Sequence, residues 1–356
     1  MSSGSILGTG RGTVWLGWGF SNPGTVPSCA GLSLYVPDFF LTSEKPWMLF
    51  SQWGELPLAE LRAILQRTDG VVVETEDGEI SWENPGFKAF RKVFEDLQTQ
   101  IAAGELKKGV PVVFRTACVI PGSGFVSHVL RKLCEVAETL PLHVYGFWQV
   151  GAEGMLGATP EILFRQTEAS TLETMALAGT RSHDRDALPL LEDAKESIEH
   201  RWVIDGIVAA LSTWGTVRMG ETRELRLRHL SHLVTPIFLA FDAPPPGMET
   251  LARILHPTPA LGAWPREAGL RWLRDQPEAA WRRRFGAPFG MQWPDSGECL
   301  CVVSIRNVQW FSPVSGSDWI NLRMGAGCGI IAESQLDREW HELYAKLDCI
   351  RQIVGL

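Results

Sequence analysis

The residues of this chain whose types and spacing could do chemistry together are two acidic pairs, Lys195-Glu196-x-x-Glu199-His200 and Glu339-x-x-Glu342-x-x-x-Lys346. Carboxylates three residues apart share one face of an α-helix, so two such helices set face to face build a pocket of four carboxylates. Such a pocket suits a hard cation. Mg²⁺ takes oxygen ligands and completes its shell with water and anionic substrate oxygens, so Mg²⁺ is the expected cofactor and the expected substrate is itself acidic. The same spacing, with a Lys nearby, also describes the solvated face of an ordinary helix. The company these pairs keep decides between the two readings.

Four further segments stand in a fixed order: Gly157-Ala158-Thr159-Pro160-Glu161, Ala176-Leu177-Ala178-Gly179-Thr180-Arg181, His256-Pro257-Thr258-Pro259-Ala260, and Ser304-Ile305-Arg306 followed by Gly327-Cys328-Gly329-Ile330. This order resembles the chorismate-utilising enzymes: isochorismate synthases, salicylate synthases, and the large subunits of anthranilate and aminodeoxychorismate synthase. The resemblance covers roughly residues 90 to 354 and rests on six motifs in sequence, which a lone motif could not offer. It implies an α+β fold, a large antiparallel β-sandwich core with helices packed outside.

The resemblance also implies roles. Glu199 and Glu342 are the direct Mg²⁺ ligands, with Glu196 and Glu339 acting directly or through water. Glu161 is the general acid that protonates a departing ring hydroxyl, which requires burial or a like-charged neighbour to keep its proton near neutral pH. Arg306 and Lys346 hold substrate carboxylates, His232 stands near the leaving hydroxyl, and Gly179 and Thr180 shape the pocket. Gly327 and Gly329 let backbone N–H groups approach an anion.

Water-adding members carry a Lys base ahead of a strand, where aminating members have an uncharged residue. Anchoring the text on Gly104-Glu105-Leu106 places Lys108 there, and anchoring it on Arg115 places Val110. The reading taken is an Mg²⁺-dependent isochorismate synthase acting on chorismate for a menaquinone, siderophore or salicylate product. Ala178, where aminodeoxychorismate synthases use a lysine, and the lack of an L-L-E-S motif near the N-terminus weigh against amination. Two alternatives stand beside it: an ammonia-using anthranilate or aminodeoxychorismate synthase large subunit with a glutamine amidotransferase partner, and a non-catalytic chorismate-binding protein.

The elements that must position these residues are legible in outline. Hydrophobic periodicity predicts helices over Gly86–Ala103, Asp186–Trp214 and about Gln335–Ile353, the last two carrying the acidic pairs. β-Branched and aromatic runs predict strands opening at Thr13 and over Trp47–Ser51, Gly70–Thr75 and Pro111–Thr116. Val144–Val150, Ile162–Gln166 and Thr171–Ala178 read as a meander, and Leu300–Val308 with Trp319–Met324 as a hairpin that places Arg306 mid-strand. Residues 1–90 are expected to be a strand-rich part of the same fold and 91–356 the chorismate-binding catalytic region, in one cooperative unit.

A charged fraction of 21% and an apolar fraction of 45% fit a globular chain, and 15 Trp with 16 Phe supply a large aromatic core. The net charge of -8 offers no basic footprint for nucleic acid, so an anionic substrate needs local positive charge. No apolar run is long enough to span a membrane, no secretory signal is evident, and the expected location is cytoplasmic. Seven Cys without paired C-x-x-C spacing indicate neither a zinc site nor a disulfide framework.

Overall fold

The computed structural model describes every residue except 1–2, 29–30, 69, 75–78, 150–152, 169, 183–188, 228–229, 294–297 and 314–316. Its strands, in chain order, are β1 (Gly4–Gly8), β2 (Thr13–Phe20), β3 (Leu32–Tyr35), β4 (Trp47–Pro57), β5 (Lys108–Gly109), β6 (Val112–Val119), β7 (His143–Trp148), β8 (Glu153–Thr159) and β9 (Ile162–Glu168). There follow β10 (Thr171–Ser182), β11 (Gly215–Met219), β12 (Arg223–Arg226), β13 (Leu230–Phe241), β14 (Ala263–Trp264), β15 (Pro288–Gln292), β16 (Cys299–Val303), β17 (Asn307–Phe311) and β18 (Ile320–Gly327). The helices are α1 (Leu58–Leu65), α2 (Phe87–Ala102), α3 (Phe125–Ala137), α4 (Ala194–Leu211), α5 (Met248–Leu255), α6 (Arg266–Asp275), α7 (Ala279–Arg282) and α8 (Leu336–Val354).

Sixteen strands form one antiparallel sheet in the order β11-β13-β10-β9-β16-β15-β3-β4-β2-β1-β7-β8-β17-β18-β6, with β12 also on β13; β5 and β14 pair separately. Tyr145 on β7 and Phe289 on β15 have ring centroids 5.4 Å apart. Their strands are five places apart in that order, which a flat sheet would translate into about 24 Å. The sheet therefore folds back on itself. Alternation along β16 shows the layering: Leu300 and Val302 pack inward with Phe147, Met155 and Met291, whereas Cys299, Cys301 and Val303 face the helical layer of Val203, Ile207 and Leu255. On the other half, Leu156 and Val308 pack outward against Phe90, Leu133, Leu343 and Leu347 of α2, α3 and α8. The result is the α+β arrangement implied above, with β1 to β4 in the middle of the sheet.

Four local expectations need correction. The meander breaks at Thr159-Pro160-Glu161: β8 pairs with β7 and β17, while β9 pairs with β10 and β16. Leu300–Val308 is likewise two strands, broken at Ser304-Ile305-Arg306, and it is β17 that pairs with β18. Arg306 is thus not mid-strand; both breaks are crossings between the layers. Gly70–Thr75 contributes only a bridge from Val73 to Pro121, and Thr75 lies outside the described residues. The helix expected from Asp186 starts at Ala194, because Pro189 opens a separate short turn and the Asp193 side chain accepts hydrogen bonds from the Lys195 and Glu196 N–H groups as the N-cap. Residues 186–188, like Val150, lie outside the described residues. No described helix is long and apolar enough to cross a membrane.

Candidate active site

The two crossings lie side by side and deliver the first two functional groups. Val303 N–H donates to the Glu161 carbonyl at 3.0 Å, and Ala158 N–H donates to the Arg306 carbonyl at 3.2 Å, so each crossing is stitched to the other. Tyr145 Oη donates to the Ile305 carbonyl at 2.8 Å, while Asn307 Nδ2 donates to the Ser304 carbonyl and to Tyr145 Oη, both at 2.8 Å. This network holds Arg306 at a φ of 56°, a left-handed conformation that a non-glycine residue adopts only where its surroundings impose it. The consequence is a buried guanidinium directed into a cavity, with Glu161, Gly179, Thr180, Glu199, His232, Gly327, Gly329 and Lys346 also on its wall.

Electrostatics separate the roles of these groups. Burial pushes the Glu161 carboxyl up to about 8, against the opposing pull of Lys108 and Arg306, so it keeps its proton at neutral pH. His232 Nε2 lies 2.5 Å from Arg306 Nη2, and since a guanidinium can only donate, Nε2 accepts and Nδ1 carries the ring proton, 3.1 Å from Thr180 Oγ1. Burial, then the charges of Arg306 and Lys346, hold His232 well below its usual range, so it stays neutral.

Gly179 is where β10 makes room for the acidic helix. The β10–β13 register shifts between Ala178 and Thr180, and Gly179 takes a φ of 72°, which turns the Thr180 N–H toward Glu196 Oε2 at 2.9 Å. Glu196 and Glu199 on α4 thereby face Glu339 and Glu342 on α8, and Glu196, Glu339 and Glu342 line a second cavity that shares Thr180 with the first.

Lys108 sits on β5, paired with β14, and the hydrogen bonds from Gly109 N–H to the Ile330 carbonyl and back from Ile330 N–H lace it to the Gly327–Ile330 loop. Its side chain is 0% exposed and its Nζ lies 3.1 Å from Glu199 Oε1, close enough for an ion pair though not aligned as a hydrogen bond. Burial lowers its pKa, with Glu199 opposing. Lys346 donates to the Gly327 carbonyl at 2.8 Å and pairs with Glu342 at 2.7 Å. Burial works against its charge, but Glu342 outweighs it and the pKa rises.

A Cβ at Gly329 would meet Glu199 Oε1 at 1.9 Å and the Lys108 Cε at 2.7 Å. The space is what matters here, not backbone freedom. Gly329→Ala is therefore expected to lower stability by about 1–3 kcal/mol through overpacking. A thermal midpoint equal to wild type would show that Glu199 and Lys108 can move aside at no cost.

The donor set fits a hard cation. Four carboxylates face one another, Glu339 Oε2 is buried with no hydrogen-bond partner among the described residues, and burial followed by the adjoining carboxylates raises the pKa of both Glu196 and Glu339. Glu199 is held low, since Lys108 and Lys195 outweigh its burial. Among the described residues no three of these side chains are closed upon a common centre, and the Lys195 ammonium stands between them.

Residues 57–355 match the family model described as "Chorismate binding enzyme". The chain is a member of that family. It is 35% identical over 210 residues to the salicylate biosynthesis isochorismate synthase of Pseudomonas aeruginosa, a stretch that is 56% of this chain but only 42% of that relative's length. It is 27% identical over 345 residues to the isochorismate synthase MenF of Bacillus subtilis, covering 90% of this chain and 69% of that one. Among solved structures, the menaquinone-specific isochorismate synthase MenF of Escherichia coli superposes with a TM-score of 0.76 at 20% identity, over 99% of this chain and 89% of that chain; at that identity the likeness is one of fold.

As a chorismate-binding enzyme, the chain brings every expected site residue to one region, with Glu161, Glu199, His232, Arg306, Lys346, Thr180 and the three pocket glycines on one wall, Glu196, Glu339 and Glu342 on the adjoining cavity, and Lys108 behind Glu199. The sequence assigned no role to two residues. Lys195 was legible as an i,i+4 partner of Glu199. Arg282 was not: it stands in a run of three arginines that reads as surface charge, yet it is fully buried and donates to the Leu261 carbonyl, on the cavity wall, and to the Val110 carbonyl beside the Lys108 strand.

Proposed function

We propose that this protein is an isochorismate synthase, adding water to the ring of chorismate and expelling the ring hydroxyl. The observation that carries the reading is the pair of oppositely tuned buried groups at one site: Glu161, a carboxylic acid kept protonated to about pH 8, and Lys108, an amine whose burial weakens its hold on a proton. An acid and a base poised in this way serve a reaction that must remove a proton from an entering water and give one to a departing hydroxyl.

Chorismate is a dicarboxylate, and Arg306 and Lys346 are the cations on the cavity wall that suit its two carboxylates. Lys108 Nζ takes a proton from water as the new ring C–O bond forms. Glu161 gives its proton to the ring hydroxyl, which leaves as water as its C–O bond breaks. His232, neutral and fixed by Arg306 and Thr180, presents no charge to the departing group and orients Arg306. The carboxylates of Glu199 and Glu342, with Glu196 and Glu339 beside them, are the residues to hold Mg²⁺, which when bound supplies a Lewis acid for the substrate's ring carboxylate. The similarity to relatives named isochorismate synthases supports isochorismate as the product here.

The test is purified protein with chorismate and Mg²⁺, with and without ammonium, products read by chromatography and mass. Isochorismate without ammonium is expected. Product formed only with ammonium would move the chain to amination and a glutaminase partner, and no product under either condition would leave binding without catalysis.

A further inference from the structure

Three carboxylates of the acidic pocket converge on one ammonium. Lys195 Nζ lies 3.2 Å from Glu196 Oε1, 2.8 Å from Glu199 Oε2 and 3.1 Å from Glu339 Oε1, with the Lys195 side chain 10% exposed. Two of these partners belong to its own helix and the third to α8, so the ammonium closes the gap between the two acidic pairs. An exposed lysine making such pairs would contribute little. This one is buried against three carboxylates, and it is the cation that bridges the pair on α4 to Glu339 on α8.

Its position conflicts with that of any other cation. Glu199 has one oxygen toward Lys108 and the other toward Lys195, so an ion that takes Glu199 competes with an ammonium at either oxygen. Glu339 presents one oxygen to Lys195 and keeps Oε2 unpartnered, an acceptor that the lysine alone does not satisfy. A tetrahedral ammonium with three N–H donors cannot serve four carboxylates at once, whereas a hard divalent cation carries twice the charge and takes up to six oxygens.

We propose that Lys195 is a tethered counter-ion, which holds the acidic pocket together in the metal-free protein and which a divalent cation binds by displacing. The proposal rests on the reading that this pocket takes a divalent cation. Its consequence is that Lys195 sets the affinity. A cation gains the carboxylates only by breaking three ion pairs, so the site stays weak for free Mg²⁺ despite its four acids. Without the lysine, the carboxylates would repel one another and the empty pocket would be less stable, yet Mg²⁺ would bind it more tightly. Linkage makes the two effects reciprocal.

The experiment is calorimetric titration of Mg²⁺ into wild-type protein and Lys195→Gln, without substrate, beside thermal midpoints in EDTA and in saturating Mg²⁺. Lys195→Gln is expected to melt lower in EDTA, to bind Mg²⁺ roughly tenfold more tightly, and to recover most of its lost midpoint when Mg²⁺ is present. A second measurement does not depend on the variant folding: in wild-type protein, amine-selective labelling of Lys195, read by peptide mass, should rise when Mg²⁺ is added. If wild type binds Mg²⁺ while the variant binds it no more tightly and keeps its full thermal deficit, the counter-ion role fails and Lys195 is a fixed cross-link. Labelling unchanged by bound Mg²⁺ rejects it equally. If neither protein binds Mg²⁺, the metal reading itself falls and takes this one with it.

Discussion

Replacing Glu161 by Gln should lower kcat by about 10²–10⁴, the usual contribution of a positioned general acid, while leaving the fold intact. The amide keeps the shape of the side chain and loses only the transferable proton. In wild type the same group sets a pH limit. Its carboxyl, held up at about 8 by burial, must be protonated to act, so turnover should decline as pH rises through that value, and Glu161→Gln should lose this limb along with the rate.

Stability supplies an independent check on the same assignment. Folded Glu161 keeps its proton to about pH 8, against an ordinary value of 4.5. Between those two values the native state binds more protons than the unfolded chain, so stability falls as pH rises across the window. The contribution is complete below about pH 4.5 and is lost by about pH 8, so the thermal midpoint of Glu161→Gln should gain on wild type over that range. A variant with wild-type turnover and a parallel stability profile would remove Glu161 from the chemistry and place its carboxyl in contact with water.

How much of this was legible beforehand depended on range. The acidic pairs could be read from spacing because helix geometry is local: three residues always return to the same face, and the facing of α4 and α8 followed from their shared chemistry. The placement of Arg306 could not. Val302-Val303-Ser304-Ile305-Arg306 has the composition of a continuous strand, and only the pairing of β16 with β9 and of β17 with β8 reveals that the chain changes layer there. The same is true of Thr159-Pro160-Glu161, where Pro160 gave a turn but not its destination. Arg282 was hidden for a different reason: its burial is tolerated because two backbone carbonyls accept its N–H groups and Phe39 lies under its guanidinium, 4.4 Å from its ring centroid, and none of those partners is near it in sequence.

Lys108 illustrates the boundary between the two cases. A gapped text put either Val110 or Lys108 at the position of the base, and the fold distinguishes them by environment: Val110 is an apolar core residue, while the Lys108 amine ends beside Glu199 in the same acidic region. Lys108→Ala should therefore reduce water addition by about 10²–10⁴. It should also remove the acidic limb of the pH–rate profile, since the amine must be unprotonated to accept a proton and its pKa is lowered by burial. Loss of rate alone would not separate a base from a partner of Glu199, because removing one member of a buried ion pair perturbs the other. Added small primary amines make that separation. They can enter the vacated space and accept a proton, so turnover rising with amine concentration and with the fraction of amine unprotonated would assign the proton transfer to the position of Lys108 Nζ. Turnover that remains at the wild-type level in the variant would assign it elsewhere, and a loss that no amine restores, with Mg²⁺ affinity altered in parallel, would make Lys108 a positioning residue for Glu199.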